Sequence, residues 1–64
     1  MALNIAEALA EIAFIYKYNS DFEAKIHIDK IIRNEGLTGT PQAQQLYDKL
    51  QELRDASIAL PLSR

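Results

Sequence analysis

The chain has 64 residues, no cysteine and a formal net charge of −2, with both signs of charge spread along its length. This length allows one domain with one small core, which is marginally stable unless disulfides, a metal ion or a second copy contribute. The lack of cysteine excludes disulfides and thiolate ligands, and one histidine is too few for a zinc site within one chain. We therefore expect no metal and no cofactor, and we expect oligomerisation or close helix packing to stabilise the fold.

The N-terminal residues do not have the pattern of a signal peptide. They carry no positive charge before the apolar stretch, and Glu7 and Glu11 interrupt that stretch. The longest uncharged apolar run, residues 12–16, is far shorter than the roughly 20 residues that cross a membrane. These features, with the absence of cysteine, predict a soluble cytoplasmic protein that does not engage a membrane.

The first predicted helix spans residues 5–18 and begins with a capping pattern, since Asn4 precedes Glu7 by three residues. Its main apolar stripe, with a neighbouring stripe of alanines, has helical spacing. The stripe consists of Ile5, Leu9, Ile12 and Tyr16. A helix this apolar needs packing partners on more than one side, and a chain of this size has few to offer. This helix is the main reason to predict self-association.

The second predicted helix spans residues 21–34, between a capping box at Ser20 and Glu23 and a C-terminal cap at Gly36. Opposite charges recur at every fourth position, which predicts a solvated strip of ion pairs at Asp21, Lys25, Asp29 and Arg33. The boundary at residues 19–20 is open to an alternative, because its residues also fit inside a helix. Residues 5–34 would then form one bent helix, and the chain would be a two-helix hairpin.

The third predicted helix spans residues 41–59, with Thr40 as its N-cap, Pro41 in its first turn and Pro61 preventing continuation. Its apolar residues have the spacing of a coiled-coil seam: Ala43, Leu46, Leu50, Leu53, Ser57 and Leu60. The seam closes either a hairpin within the chain or a contact with a second copy.

These elements predict one all-α domain over residues 1–64, a two- or three-helix bundle that assembles as a homodimer. The residues expected at the interface between copies are apolar positions of the first and third helices. They are Ile5, Leu9, Ile12, Tyr16, Leu46, Leu50 and Leu53.

The sequence indicates no catalytic residues and no small-molecule substrate. His27 is the single side chain suited to proton transfer near neutral pH, and Glu23 lies one helical turn before it. We interpret His27 as a surface histidine beside a carboxylate, with a metal site bridging two copies as the alternative. No nucleophile has a paired base, and two or three short helices offer no cleft that would hold an active site. We therefore expect a protein without enzymatic activity.

A small helical DNA-binding transcriptional regulator is the alternative function, because three helices of this length fit a helix-turn-helix. The third helix would enter the major groove, but its outward residues include Asp48, Glu52 and Asp55. Phosphate contacts dominate DNA affinity and need cations, so this surface disfavours nucleic acid as a partner.

Two aromatic residues break the pattern of the first helix. Phe14 and Tyr18 fall on the same side as Glu7 and Glu11, the polar side. They either fill a dimer core or form a protein-binding hot spot, since exposed aromatics rimmed by charge are typical of one. Our functional hypothesis is a small regulator that binds itself and another protein through an apolar helix face. It could be an inhibitor, an adaptor, a chaperone-like cap or a phage- or plasmid-type accessory factor.

Residues 26–50 resemble in their hairpin geometry the small Spo-zero-E-type phosphatases of sporulating bacteria, which have a helix, a glycine-containing loop and a second helix. The second helix of those proteins carries Ser-x-x-Leu-Asp, whereas this chain has Ala43 and Tyr47 at the serine and catalytic aspartate positions. The resemblance implies a helical hairpin and does not carry the phosphatase activity with it.

Overall fold

The computed structural model describes residues 3–59, with side chains up to residue 57. This part of the chain forms three α-helices and no strand: α1 spans Ile5–Tyr18, α2 spans Asp21–Glu35 and α3 spans Pro41–Ala59. The prediction of an all-α protein is confirmed, and residues 3–59 form three helices rather than a two-helix hairpin. The predicted roles of Leu60 and Pro61 lie outside the described residues.

The break between α1 and α2 follows from its capping residues. Ser20 has an extended backbone (φ −170°, ψ 165°), and its hydroxyl accepts a 3.0 Å hydrogen bond from the N–H of Glu23. Asn4 caps α1 in the same way, through a 3.0 Å bond from the N–H of Glu7 to its side-chain oxygen. Each cap provides a hydrogen-bond partner for an N–H group at the start of a helix. The cap at Ser20 therefore starts a second helix, and residues 5–34 do not form one bent helix.

The connection between α2 and α3 begins with a Schellman motif. Gly36 is left-handed at φ 65°, the N–H of Leu37 donates to the carbonyl of Ile32 at 2.9 Å, and the N–H of Gly36 donates to that of Arg33 at 3.4 Å. The turn directs Leu37 into the core, where it is buried. The hydroxyl of Thr40 then accepts a 3.2 Å bond from the first turn of α3, so the predicted caps are present at both ends of this loop.

The core lies between the three helices, and every helix contributes to it. Its buried residues are Ala8, Ile12, Ala24, Ile28, Ile32, Leu37, Ala43, Leu46 and Leu50. The seam residues Ala43, Leu46 and Leu50 therefore pack within the chain, against α1 and α2, whereas Ser57 is exposed. Across residues 3–59, no helix combines the length and the apolarity needed to cross a bilayer.

This core changes the interpretation of the residues that were expected between copies. Ile12, Leu46 and Leu50 are buried inside the single chain, so their side chains cannot take part in a dimer interface while this fold is intact. The remaining four are half-buried and pack against the same core: Ile5, Leu9, Tyr16 and Leu53. Each helix in a three-helix bundle has two neighbours in its own chain, which cover more of α1 than a hairpin would. A contact of the four half-buried residues with a second copy stays a prediction.

Polar contacts join α2 to α3 in place of the full charge ladder predicted along α2. Asp21 accepts two hydrogen bonds from the guanidinium of Arg54, at 2.5 and 2.6 Å, and Asp29 accepts one from the hydroxyl of Tyr47 at 2.6 Å. Among the described residues, the ladder keeps one salt bridge, from Lys25 to Asp29 at 3.2 Å. Two of the four predicted ladder positions thus bind side chains of another helix.

The contact between Asp21 and Arg54 predicts a loss of stability in acid. Hydrogen bonding from Arg54, reinforced by its charge and partly opposed by desolvation, holds the pKa of Asp21 below its ordinary 3.8. A carboxyl whose pKa is lower in the folded state stabilises the fold above its unfolded pKa, and this contribution disappears as the pH falls below about 3.8 through the folded pKa. We expect the free energy of unfolding of the Asp21→Asn variant to depend less steeply on pH in this range.

Urea denaturation between neutral pH and pH of about 2.5, followed by circular dichroism, would measure this dependence. Glu35→Gln is the matched control, since Glu35 is exposed and its side chain makes no hydrogen bond or salt bridge among residues 3–59. Identical profiles for wild type and Asp21→Asn would contradict the role of the ion pair.

Candidate functional site

The outer face of α1 exposes the two aromatic residues that broke its pattern. Phe14 is 61% exposed and Tyr18 is 64% exposed, and their ring centroids lie 4.8 Å apart at an interplanar angle of 45°. The ammonium group of Lys17 lies 5.3 Å from the centroid of the Tyr18 ring. The chain thus keeps two large rings in contact with each other, and Tyr18 in contact with a cation, while both rings face solvent.

Beside this pair lies an open, mainly apolar groove between α1 and α2. Its lining residues are Glu7, Ala10, Glu11, Phe14, Ile15 and His27. The two carboxylates lie along the same helix four residues apart, which puts one at each of two successive turns on one edge of the groove.

His27 connects the two helices across the groove. Its Nε2 lies 3.1 Å from Oε1 of Glu11. Because a carboxylate only accepts hydrogen bonds, the ring nitrogen is the donor. The predicted partner of His27, Glu23 on its own helix, forms no side-chain hydrogen bond or salt bridge with it among the described residues. The histidine therefore positions α2 against α1 and orients one of the groove carboxylates.

Three of the four residues predicted to bind a partner line this groove, namely Glu7, Glu11 and Phe14. The fourth, Tyr18, lies next to it in contact with the Phe14 ring. These four side chains therefore form one continuous surface, and we call it the α1 aromatic face.

Sequence reasoning missed the contribution of Ile15 and His27 to the groove. Ile15 is half-buried, and part of its side chain lines the groove. His27 comes from α2, and no local spacing signals that it meets Glu11. The one signal that could have suggested Ile15 is its position as an apolar residue beside the charged face of α1.

A second, more polar depression lies at the other side of α2, lined by Asp29, Ile32, Arg33, Thr38 and Tyr47. The hydroxyl of Tyr47 donates to Asp29, and this hydrogen bond raises the pKa of Tyr47 and lowers that of Asp29. Both groups are thereby held in the protonation states they have in neutral water, so neither gains acid or base strength at neutral pH. Among residues 3–59, no three histidine, aspartate or glutamate side chains come together as a metal site would require.

No protein-family model matches this chain, and comparison with curated proteins and with solved structures finds none that is significantly similar.

Proposed function

We propose that the chain is a small non-catalytic protein-interaction module that acts as a regulator, as an inhibitor or adaptor does. It binds other protein surfaces through the α1 aromatic face. The observation that carries this proposal is the exposed pair of rings, Phe14 and Tyr18, in contact beside an apolar groove. A chain with a core this small gains little stability from two large rings in water, since an i,i+4 pair contributes only about 0.2–0.5 kcal/mol.

The composition of the face fits protein recognition. Aromatic side chains bury a large area at a small cost in conformational entropy, and they dominate the energetics of interfaces when they fill a pocket. Glu7 and Glu11 add a charged rim, which favours the correct partner and the correct orientation more than it adds affinity. The face thus has an apolar centre for affinity and charges at its edge for selectivity.

Self-association is part of the proposal, in the form of a cytoplasmic homodimer. The three helices leave a side of α1 uncovered, where Ala6, Ala10 and Phe14 are all exposed. A second chain is the simplest cover for such a face in a small scaffold without disulfides. A cytoplasmic location is consistent with the absence of cysteine.

DNA binding finds less support in this fold. The guanidinium of Arg54 binds Asp21, and the ammonium of Lys49 lies 3.8 Å from Glu52. Both cations on α3 therefore already have carboxylate partners, which leaves the exposed surface of this helix acidic. A DNA-reading helix needs free cations for phosphate contacts.

A pull-down from the source cells would test the proposed function. Tagged wild type is compared with the Phe14→Ala/Tyr18→Ala double variant, and retained proteins are identified by mass spectrometry. We expect the double variant to lose at least one protein that wild type retains, by about tenfold or more, because hot-spot truncations cost about 2 kcal/mol or more.

Phe22→Ala is the matched control, since Phe22 is 67% exposed but belongs to α2 and does not line the groove. It should retain the same proteins as wild type. Circular dichroism of all variants shows whether the fold is intact. A folded double variant that retains the same proteins as wild type would refute the proposal.

A further inference from the structure

The uncovered side of α1 carries four residues in an ordered line: Glu7, Ala10, Phe14 and Lys17. Their spacings of three, four and three are those of a coiled-coil seam, so they form one strip along the helix. All four are exposed, whereas Ile12, on the opposite side of the helix, is completely buried in the core. We call this strip the outer seam. It has the spacing of an a/d seam, with a charge at each end, and the helices of the described chain leave it exposed.

The outer seam is self-complementary when two copies of it run in opposite directions. When two copies pair antiparallel about a two-fold axis at the level of Ile12, Glu7 lies opposite the partner's Lys17, and Ala10 lies opposite the partner's Phe14. Each layer then combines a negative with a positive group, or a small side chain with a large one. A two-fold axis repeats every such contact, so four layers arise from two kinds of pair.

A parallel pairing does not have this property. It would place Glu7 opposite the partner's Glu7 and Lys17 opposite the partner's Lys17, which brings like charges together at both ends of the seam. It would also place two Phe14 rings in one layer and leave two small Ala10 side chains facing each other. Charge and volume therefore select the antiparallel arrangement.

The charges at the ends of the seam are free to pair between copies. Among residues 3–59, neither Glu7 nor Lys17 forms a salt bridge within the chain. Ala6 and Ala13 flank the seam on one side, and their small size lets two helix backbones approach closely. On the other flank, the nearby carboxylate of Glu11 is already bound by His27 at 3.1 Å.

We infer that the outer seam of α1 binds a second copy of this chain, with the two α1 helices antiparallel and Phe14 of each copy packed over Ala10 of the other. This inference rests on the proposed function and names the first protein that the α1 aromatic face binds. Two four-turn helices bury an area at the low end for specific interfaces, so the dimer dissociates on dilution.

Charge reversal tests the register directly. Sedimentation equilibrium over a range of concentrations around 100 μM gives the dimer dissociation constant of wild type and of each variant. Glu7→Lys and Lys17→Glu should each weaken dimerisation by about tenfold or more, because each turns two attractive pairs into two repulsive ones. The double variant carrying both reversals should regain dimerisation to within about threefold of wild type, since every pair is attractive again.

Lys30→Glu is the matched control, because Lys30 is an exposed lysine of α2 and its reversal changes the net charge as Lys17→Glu does. It should leave the dissociation constant unchanged. A dimeric wild type that neither single reversal weakens, or that the double reversal fails to restore, would overturn the outer seam as the interface.

The failures of this inference and of the proposed function are distinguishable. A wild-type chain that stays monomeric throughout the concentration range removes the second copy as the occupant, and with it the self-association in the proposed function. The pull-down can still show another protein on the α1 aromatic face. Conversely, the reversal series can succeed while the pull-down retains no other protein, which would leave self-association as the one interaction of this face.

Discussion

Replacement of Ile28 by alanine is expected to leave much of the chain unfolded at physiological temperature. Ile28 is completely buried at the centre of α2, within the core that all three helices share. Truncation of a buried isoleucine to alanine costs about 2–5 kcal/mol, through lost apolar burial and the cavity that remains. A core of this size rarely supplies more than about 3–5 kcal/mol in total, so one substitution removes most of the stability.

Urea denaturation followed by far-ultraviolet circular dichroism would measure the effect, at one fixed protein concentration so that self-association does not differ between samples. Phe22→Ala is the control on the same helix. It deletes a larger apolar side chain from a position that is 67% exposed, and it should change the free energy of unfolding by no more than about 0.5 kcal/mol. If the two variants unfold alike, the helices do not pack around Ile28 as described.

Substitution of Gly36 by valine is expected to destabilise the fold by about 1–2 kcal/mol or more. Gly36 ends α2 in the left-handed region at φ 65°, which residues with a side chain rarely adopt and β-branched residues adopt least readily. A Cβ atom added there would meet no atom within 4 Å, so the cost comes from the backbone conformation alone. Relief of that strain would open the Schellman motif and withdraw Leu37 from the core.

The Gly36→Asn variant distinguishes the cost of the left-handed backbone from the cost of placing any side chain at this position. Asparagine accepts the left-handed conformation better than other residues that carry a side chain, so this variant should lose clearly less stability than Gly36→Val. The same urea titration measures both variants. Equal losses would show that the backbone angle at Gly36 is not what limits the choice of residue.

The helices could be predicted from sequence because their signals are local. Asn4, Ser20 and Thr40 each lie directly before a helix and accept the hydrogen bond that a cap provides, and Gly36 has the left-handed conformation expected of a helix end. The one open question, a continuous helix or a break at residues 19–20, was decided by Ser20. Each of these signals depends on residues three or four positions apart.

The arrangement of the helices could not be predicted because it depends on long-range contacts. Arg54 binds a carboxylate 33 residues earlier in the chain, and Tyr47 binds one 18 residues earlier. The charge ladder along α2 was predicted from periodicity alone. Periodicity could not show that two of its residues, Asp21 and Asp29, would bind side chains of α3. For the same reason, the stripe with Ile12 was assigned to a second copy although two helices of the same chain cover it.

The aromatic part of the candidate site could be predicted because it breaks the apolar pattern of α1. Phe14 and Tyr18 were identified as aromatics on a polar helix side, and both are exposed. The groove beside them was not predictable, because its far wall comes from α2. His27 reaches Glu11 across 16 residues of sequence, a relation that no spacing rule contains.

Each helix contributes one buried alanine to the core: Ala8 from α1, Ala24 from α2 and Ala43 from α3. A larger side chain at any of them would overpack the interior and force the helices apart, whereas isoleucine and leucine elsewhere in the core can exchange at modest cost. Most positions of this sequence can therefore accept other residues, whereas these three sites must stay small.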